Sequence, residues 1–146
     1  MMANVPLDLD AFVCFAIYSA NGAFNRAYKP ALDALGLTYP QYVTMVALWT
    51  KDDVTVGELG DRLFLESNTL TPLLKRLEGA GFVTRRRDPA DERQVRIQLT
   101  ESGRALKERA KEVPQTIAGA FAATNPEDVA RLRAEIARLR DALNER

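Results

Sequence analysis

The hydrophobic pattern of this chain leaves helical spacing in one stretch, and that stretch limits the folds open to it. Leu70, Leu73, Leu74 and Leu77 recur at helical spacing. After Gly79-Ala80-Gly81 the period falls to two. Phe82-Val-Thr-Arg-Arg-Arg87 and Arg93-Gln-Val-Arg-Ile-Gln-Leu99 then alternate like strands, with Val95, Ile97 and Leu99 on one face and Arg96 and Gln98 on the other. Asp88-Pro-Ala-Asp-Glu92 between them is a turn. A helix, a glycine stop and a hairpin in this order predict a mainly α chain with a small β-wing (α+β).

The flanking segments all read as helices. Asp8 or Asp10 can cap a first helix running through Phe12, Phe15, Tyr18 and Phe24 toward Leu35, with Pro30 expected to kink it or end it early and Gly36 to stop it. Thr38 caps a second helix with Pro40 in its first turn and Tyr42, Met45, Val46 and Trp49 as its apolar side. Thr55-Val-Gly-Glu58 has capping-box spacing and opens a short third helix. Ser67, or Thr69 given Pro72, caps the fourth. Thr100 caps a fifth, interrupted at Pro114. Asn125-Pro126-Glu127-Asp128 opens a last helix whose Val129, Leu132, Ile136, Leu139 and Leu143 form a narrow apolar stripe.

Composition excludes much chemistry. The 146 residues include one cysteine, Cys14, and no histidine. Triads that need histidine, thiolate zinc cages and internal disulfides are therefore ruled out, and no metal or cofactor is expected. No apolar run approaches a membrane span. The opening Met-Met-Ala-Asn-Val-Pro-Leu-Asp lacks the basic and apolar regions of a signal peptide, so a cytoplasmic protein of one domain is expected. Net charge is zero, yet Ser67 to Gln98 holds seven Lys/Arg against four Asp/Glu. That local excess suits phosphate binding, although many such clusters are only solvated faces.

The block from Thr55 to Thr100 has the parts of a winged helix-turn-helix, in which the second helix enters the major groove. The front of that helix offers Ser67, Asn68, Thr69 and Thr71, followed by Lys75 and Arg76; the hairpin brings Arg85 to Arg87 and Arg93. A small α+β domain with polar caps fits the same pattern.

Asp91-x-Arg93-x-x-x-Ile97-x-Leu99-Thr100-x-x-Gly103 resembles the wing signature of the MarR transcription regulators. Together with Leu37-Thr-Tyr-Pro-Gln-Tyr42, Ser67-x-Thr-Leu-Thr-Pro-Leu-Leu-Lys-Arg76 and the Cys14 segment, nearly the whole chain is similar to the organic hydroperoxide resistance regulators, one-cysteine type. On its own, a single cysteine in an apolar helix reads as a small core residue. The resemblance instead implies that Cys14 is a peroxide sensor whose thiolate is hydrogen-bonded by Tyr28 and Tyr39 of the partner subunit. It implies that Asp91 and Arg93 brace the wing, and that Ser67, Asn68, Thr69, Thr71, Lys75, Arg76, Arg86 and Arg93 face double-stranded DNA. Segments 1–36 and 101–146 would then be dimerisation helices around a winged helix at 37–100. The terminal stripe would serve a homodimer rather than packing within the chain, whereas Tyr18, on the face of Cys14, reads as a packing residue.

On this reading an organic hydroperoxide releases a repressor dimer from a pseudo-palindromic operator. With no second cysteine between Ala120 and Asp128, the oxidised thiol meets an external small thiol or over-oxidises. The competing readings are a repressor released by a small phenolic ligand with Cys14 inert, a thiol peroxidase, and a DNA-architecture protein with no sensor.

Overall fold

The computed structural model describes residues 4–145. Asp8 caps only a single 3-10 turn, Leu9–Ala11, its carboxylate accepting from the Asp10 N–H at 3.2 Å. The first long helix, α1 (Val13–Leu35), begins beyond that turn with Phe12 at its N-cap and no side-chain cap, so neither aspartate caps it. Pro30 does not end α1 either. It sits at an exposed position, where the backbone carbonyl it leaves unpaired can face water. Gly36, at φ 71°, then closes the helix in the left-handed region that glycine adopts without cost.

Helix α2 (Tyr39–Thr50) opens with a complete capping box: Thr38 Oγ1 accepts from the Gln41 N–H at 3.3 Å, and Gln41 Oε1 accepts from the Thr38 N–H at 2.9 Å. A two-residue strand, β1 (Val54–Thr55), precedes α3 (Val56–Leu63). Thr55 caps α3 by accepting from the Glu58 N–H at 3.1 Å, which is half of the expected box. Helix α4 (Ser67–Gly79) has Glu66 at its N-cap, one residue ahead of the earlier of the two expected caps. Strands β2 (Val83–Arg87) and β3 (Val95–Leu99) form the wing. Because β1 pairs with the free edge of β3, the expected hairpin is the larger part of a three-stranded antiparallel sheet, order β1-β3-β2, with Val54 opposite Ile97 and Val83 opposite Leu99. Helices α5 (Glu101–Ala110), α6 (Gln115–Phe121) and α7 (Pro126–Asn144) complete the chain, Pro114 separating α5 from α6.

One core joins these parts. Met45 and Leu48 of α2, Leu70, Leu74 and Leu77 of α4, and Ile97 of β3 are fully buried, and Leu32 and Leu35 of α1 and Leu106 and Ala110 of α5 join the same cluster. At about 1.5–3 kcal/mol for each large apolar side chain removed from water, the leucines of α4 fix that helix against α2 and the sheet. The outer half of α1 and the whole of α7 behave differently. Leu132 is 54% exposed and Leu143 58%, and Val13, Phe15 and Ile17 are also open to solvent. The terminal stripe meets α1 of its own chain only across an open groove and is left largely exposed. Tyr18 is 75% exposed, so the packing role expected for it finds no counterpart within the chain.

The junction of wing and α5 depends on a close approach. Thr100 Oγ1 donates to the Gly81 carbonyl at 2.6 Å and accepts from the Gly103 N–H at 2.9 Å, which draws the first turn of α5 onto the Phe82 carbonyl. A Cβ on Gly103 would lie 2.0 Å from that oxygen. Gly103→Ala is expected to destabilise the fold by about 1–3 kcal/mol, since backbone must move. Gly79→Ala, where nothing lies within 4 Å, should be near neutral. Urea unfolding of the two variants checks the difference.

Candidate functional site

The polar front of α4 is available because capping does not use it. With Glu66 as N-cap, the side chains of Ser67, Asn68 and Thr69 make no hydrogen bond among the described residues, and all three are exposed. Ser67, Thr71 and Lys75 follow at i, i+4 and i+8 on one face of the helix. Lys75 and Arg76 are exposed one to two turns on. Ser67, Thr71, Arg93, Gln94 and Val95 line one groove between the start of α4 and the wing. Arg86 is not among those residues. It lies opposite Arg96 in the strand register, on the outer face of the sheet.

Two ionic braces hold the wing. Arg93 donates from Nε to Asp91 Oδ1 at 3.0 Å and from a terminal nitrogen to Asp91 Oδ2 at 3.1 Å, while its own side chain remains 89% exposed. The second brace was not foreseen from sequence. Arg96 donates to Asp53 Oδ1 at 2.8 Å, to the Asp53 carbonyl at 2.7 Å and to Asp88 Oδ2 at 3.1 Å. It thus ties the approach to β1 to the turn of the hairpin. Asp53 itself sits at φ 56°, a conformation this ligation holds. The alternation had already placed Arg96 outward on β3; what it could not supply was the partner 43 residues earlier. Glu78 adds a further tie, accepting from the Arg85 N–H at 3.0 Å and Nε at 3.2 Å, so that the basic residue on the core-facing side of β2 is neutralised at the end of α4.

Cys14 lies in the first turn of α1 and is exposed, so it is not a core residue. The tyrosines expected to serve it are elsewhere. Tyr28 and Tyr39 face each other across the α1–α2 junction with ring centroids 5.3 Å apart, and Tyr42 joins them at 6.4 and 6.2 Å. Phe24, one turn earlier on α1, stacks between Tyr28 and Phe121 of α6. Burial, followed by the neighbouring tyrosines, pushes the phenols of Tyr28 and Tyr42 above their ordinary range. Both stay protonated at neutral pH and can donate an O–H. Cys14 and Tyr28 are fourteen residues apart on one continuous helix, about 21 Å along its axis. The chain does not bring its own cysteine and tyrosines together. Tyr42 was read from sequence only as part of the apolar side of α2, although it stands one turn from Tyr39.

Among the described residues no group of three or more Cys, Asp or Glu side chains is placed to hold a metal ion, and no helix is long and apolar enough to cross a membrane. The inward-packed α4 with a free polar front, braced beside a three-stranded wing, defines a winged helix-turn-helix transcription regulator. Residues 26–110 match the family described as Transcriptional regulator SarA/Rot. The chain is 49% identical to the HTH-type transcriptional regulator TtmR of Methylorubrum extorquens (strain PA1), over 97% of this chain and 72% of that protein. It is 41% identical to the Organic hydroperoxide resistance transcriptional regulator of Bacillus subtilis (strain 168), over 96% of this chain and 95% of that one. The chain belongs to the MarR-type regulators, in their organic hydroperoxide resistance branch. Among solved structures, AbfR of Staphylococcus epidermidis is similar: reduced and bound to DNA it superposes with a TM-score of 0.77 at 34% identity, covering 92% of this chain and 93% of that one. In its disulfide form the TM-score is 0.65.

The braces carry a pH dependence. Hydrogen bonds from Arg96 hold Asp53 below the usual carboxylate range. A backbone N–H from Ala90, then Arg96, does so for Asp88, and Arg93 for Asp91. Folded values below the unfolded one mean that their stabilisation is complete above the unfolded pKa of about 4 and is lost as pH falls through the folded values. Thermal unfolding should therefore show a fall in stability below about pH 4 that is shallower in Arg96→Gln, which has already lost the second brace. Parallel curves for the two proteins would refute the assignment.

Proposed function

We propose that the protein is a homodimeric, DNA-binding repressor that an organic hydroperoxide releases from its operator through Cys14. The observation that carries this reading is the separation on α1: an exposed thiol at one end and the protonated Tyr28 phenol at the other, about 21 Å apart. Two α1 helices packed antiparallel about a dyad near Asn21, midway between these residues, bring Tyr28 of the partner subunit to Cys14. The open apolar surface of α1 and α7 is what such a dimer would bury.

In the dimer the phenol O–H groups of Tyr28 and Tyr39 donate to the sulfur and favour the thiolate, while the surrounding Phe12, Phe15 and Ile17 favour greasy peroxides over hydrogen peroxide. The thiolate attacks the terminal oxygen of the hydroperoxide. The O–O bond breaks, an S–O bond forms, and the alkoxide leaves as the alcohol after taking a proton. Sulfur is oxidised by two electrons to the sulfenic acid, and the peroxide is reduced by two. The neutral sulfenic acid holds the tyrosines less strongly than the anion did, and the dimer loosens. A small thiol then condenses with it, losing water, to give a mixed disulfide.

Two recognition helices related by the dyad would meet successive major grooves, one helical turn or about 34 Å apart. Ser67, Asn68, Thr69 and Thr71 reach backbone and base edges, Lys75 and Arg76 phosphates, and Arg93 and Arg86 the DNA flanking the wing. AbfR is seen on DNA both when reduced and when overoxidised, which supports DNA binding by this fold rather than by one redox state.

Cys14→Ser should bind DNA as well as the wild type and stay bound when cumene hydroperoxide is added. Release of that variant by the peroxide would sink the sensor reading and leave the ligand-released alternative. Tyr28→Phe should slow sulfenic acid formation about tenfold, the worth of one hydrogen bond to a charged group. Intact-mass measurement after peroxide and a small thiol should show one thiol adduct per chain, and a Cys14–Cys14 dimer as the main product would contradict it.

A further inference from the structure

The end of helix α7 touches its own DNA-binding region in a way that neither the dimer nor the sensor explains. The guanidinium carbon of Arg140 lies 4.0 Å from the centroid of the Phe64 ring. Phe64 is the residue that ends α3 and begins the turn into the recognition helix. It holds φ 58° and ψ 38°, a conformation an aromatic residue rarely adopts, and it is 51% exposed, so burial does not compensate that strain. The turn is also closely wound. Leu65 N–H donates to the Gly60 carbonyl at 3.0 Å, and a Cβ on Gly60 would meet the Leu65 carbonyl oxygen at 2.7 Å. Asn144, one turn beyond Arg140, lines the same surface as Gly60, Phe64 and Glu66, and Glu66 is the N-cap of α4.

The other part of α7 faces α1 beside the Cys14 turn. Leu132, Ile136 and Leu139 line an apolar groove with Val13 and Ile17, the residues that bracket Cys14 on α1. From Leu132 to Arg140 is about 12 Å of rigid helix.

We infer that Arg140 is a positioning residue for DNA binding: by stacking on Phe64 it holds the turn before the recognition helix, and α7 carries the state of the Cys14 turn to that stack within one chain. The second half rests on the peroxide-sensing reading; the first does not. A change in the packing of Val13 and Ile17 shifts α7 as a body. Its far end then withdraws from Phe64, and the strained turn relaxes with α4 attached to it.

The test uses the full-length protein and a duplex selected by the reduced wild type from a randomised pool. Reduced Arg140→Ala should bind about two- to five-fold more weakly, the range for an exposed cation–π contact. Phe64→Leu should lose the same factor and Phe64→Tyr, which keeps the ring, should not. After cumene hydroperoxide, Arg140→Ala and wild type should bind equally, because the contact is already absent in both. The salt dependence of binding should keep its slope in Arg140→Ala; a slope lower by about one would mean that Arg140 contacts a phosphate instead, and would overturn the proposal. An equal loss before and after oxidation would overturn the link to Cys14. A wild type that ignores the peroxide would sink the sensor reading, and the link with it, while the dependence on the Phe64 ring still decides the positioning role.

Discussion

Everything that faces outward from this molecule depends on how α4 is seated. Leu70, Leu74 and Leu77 leave no exposed surface, and they meet Met45 and Leu48 of α2 and Ile97 of β3 on the inner side. A helix buried along one stripe cannot rotate without exposing it. The direction of Ser67, Asn68 and Thr71 is therefore set by residues that never approach a ligand. The Glu66 cap adds to this: because the helix starts one residue early, its first hydroxyls are not spent on its own backbone. The same seating couples α4 to the wing, since Glu78 at its end neutralises Arg85 and the sheet closes behind it.

Against that fixed centre, α1 and α7 are left incomplete. Of the two only α1 reaches the common core, through Leu32 and Leu35, while the outer apolar residues of both line an open groove and stay largely exposed within the chain. The length of α1 turns this into chemistry. Helix α1 carries a thiol at one end and the Tyr28 phenol, packed against Tyr39 of α2, at the other, too far apart to meet, so any hydrogen bond between them must cross between subunits. A sensor built in this way reports on the arrangement of two chains rather than on the interior of one, which suits a protein whose two recognition helices must keep a fixed spacing.

The sequence made the skeleton legible wherever local chemistry decides. Thr38, Thr55, Thr100 and Asn125 each cap the helix that their position announces. The change to alternation placed both long strands. It failed where distant residues decide. Val54–Thr55 is too short for a period, and it becomes a strand because β3 offers an edge. The Arg96 brace joins residues separated by the whole helix-turn-helix. Pro30 was expected to break a helix that the packing of Leu32 and Leu35 continues past it. For the site, sequence pattern alone favoured a core cysteine, and only the resemblance pointed elsewhere. The structure removes the core reading by leaving Cys14 exposed, and the tyrosine cluster gains Tyr42, which the apolar pattern of α2 had concealed.

The absence of histidine sharpens the physical argument about the thiol. An activated cysteine usually has an imidazole, a lysine or a helix N-terminus beside it. Cys14 has the first turn of α1 and an apolar flank, and in the proposed dimer the phenols come from a second subunit. Hydrogen bonds from neutral donors stabilise an anion without leaving a counter-charge behind. When oxidation removes the negative charge, nothing remains to be compensated, and the donors simply lose their strongest acceptor. An ion pair at the same place would leave a cation stranded between two apolar helices, at a cost that could unfold the interface rather than loosen it. On the proposed mechanism, a Tyr28 phenol kept protonated by burial lets one oxygen atom, added to sulfur, weaken the dimer while the core around α4 stays intact.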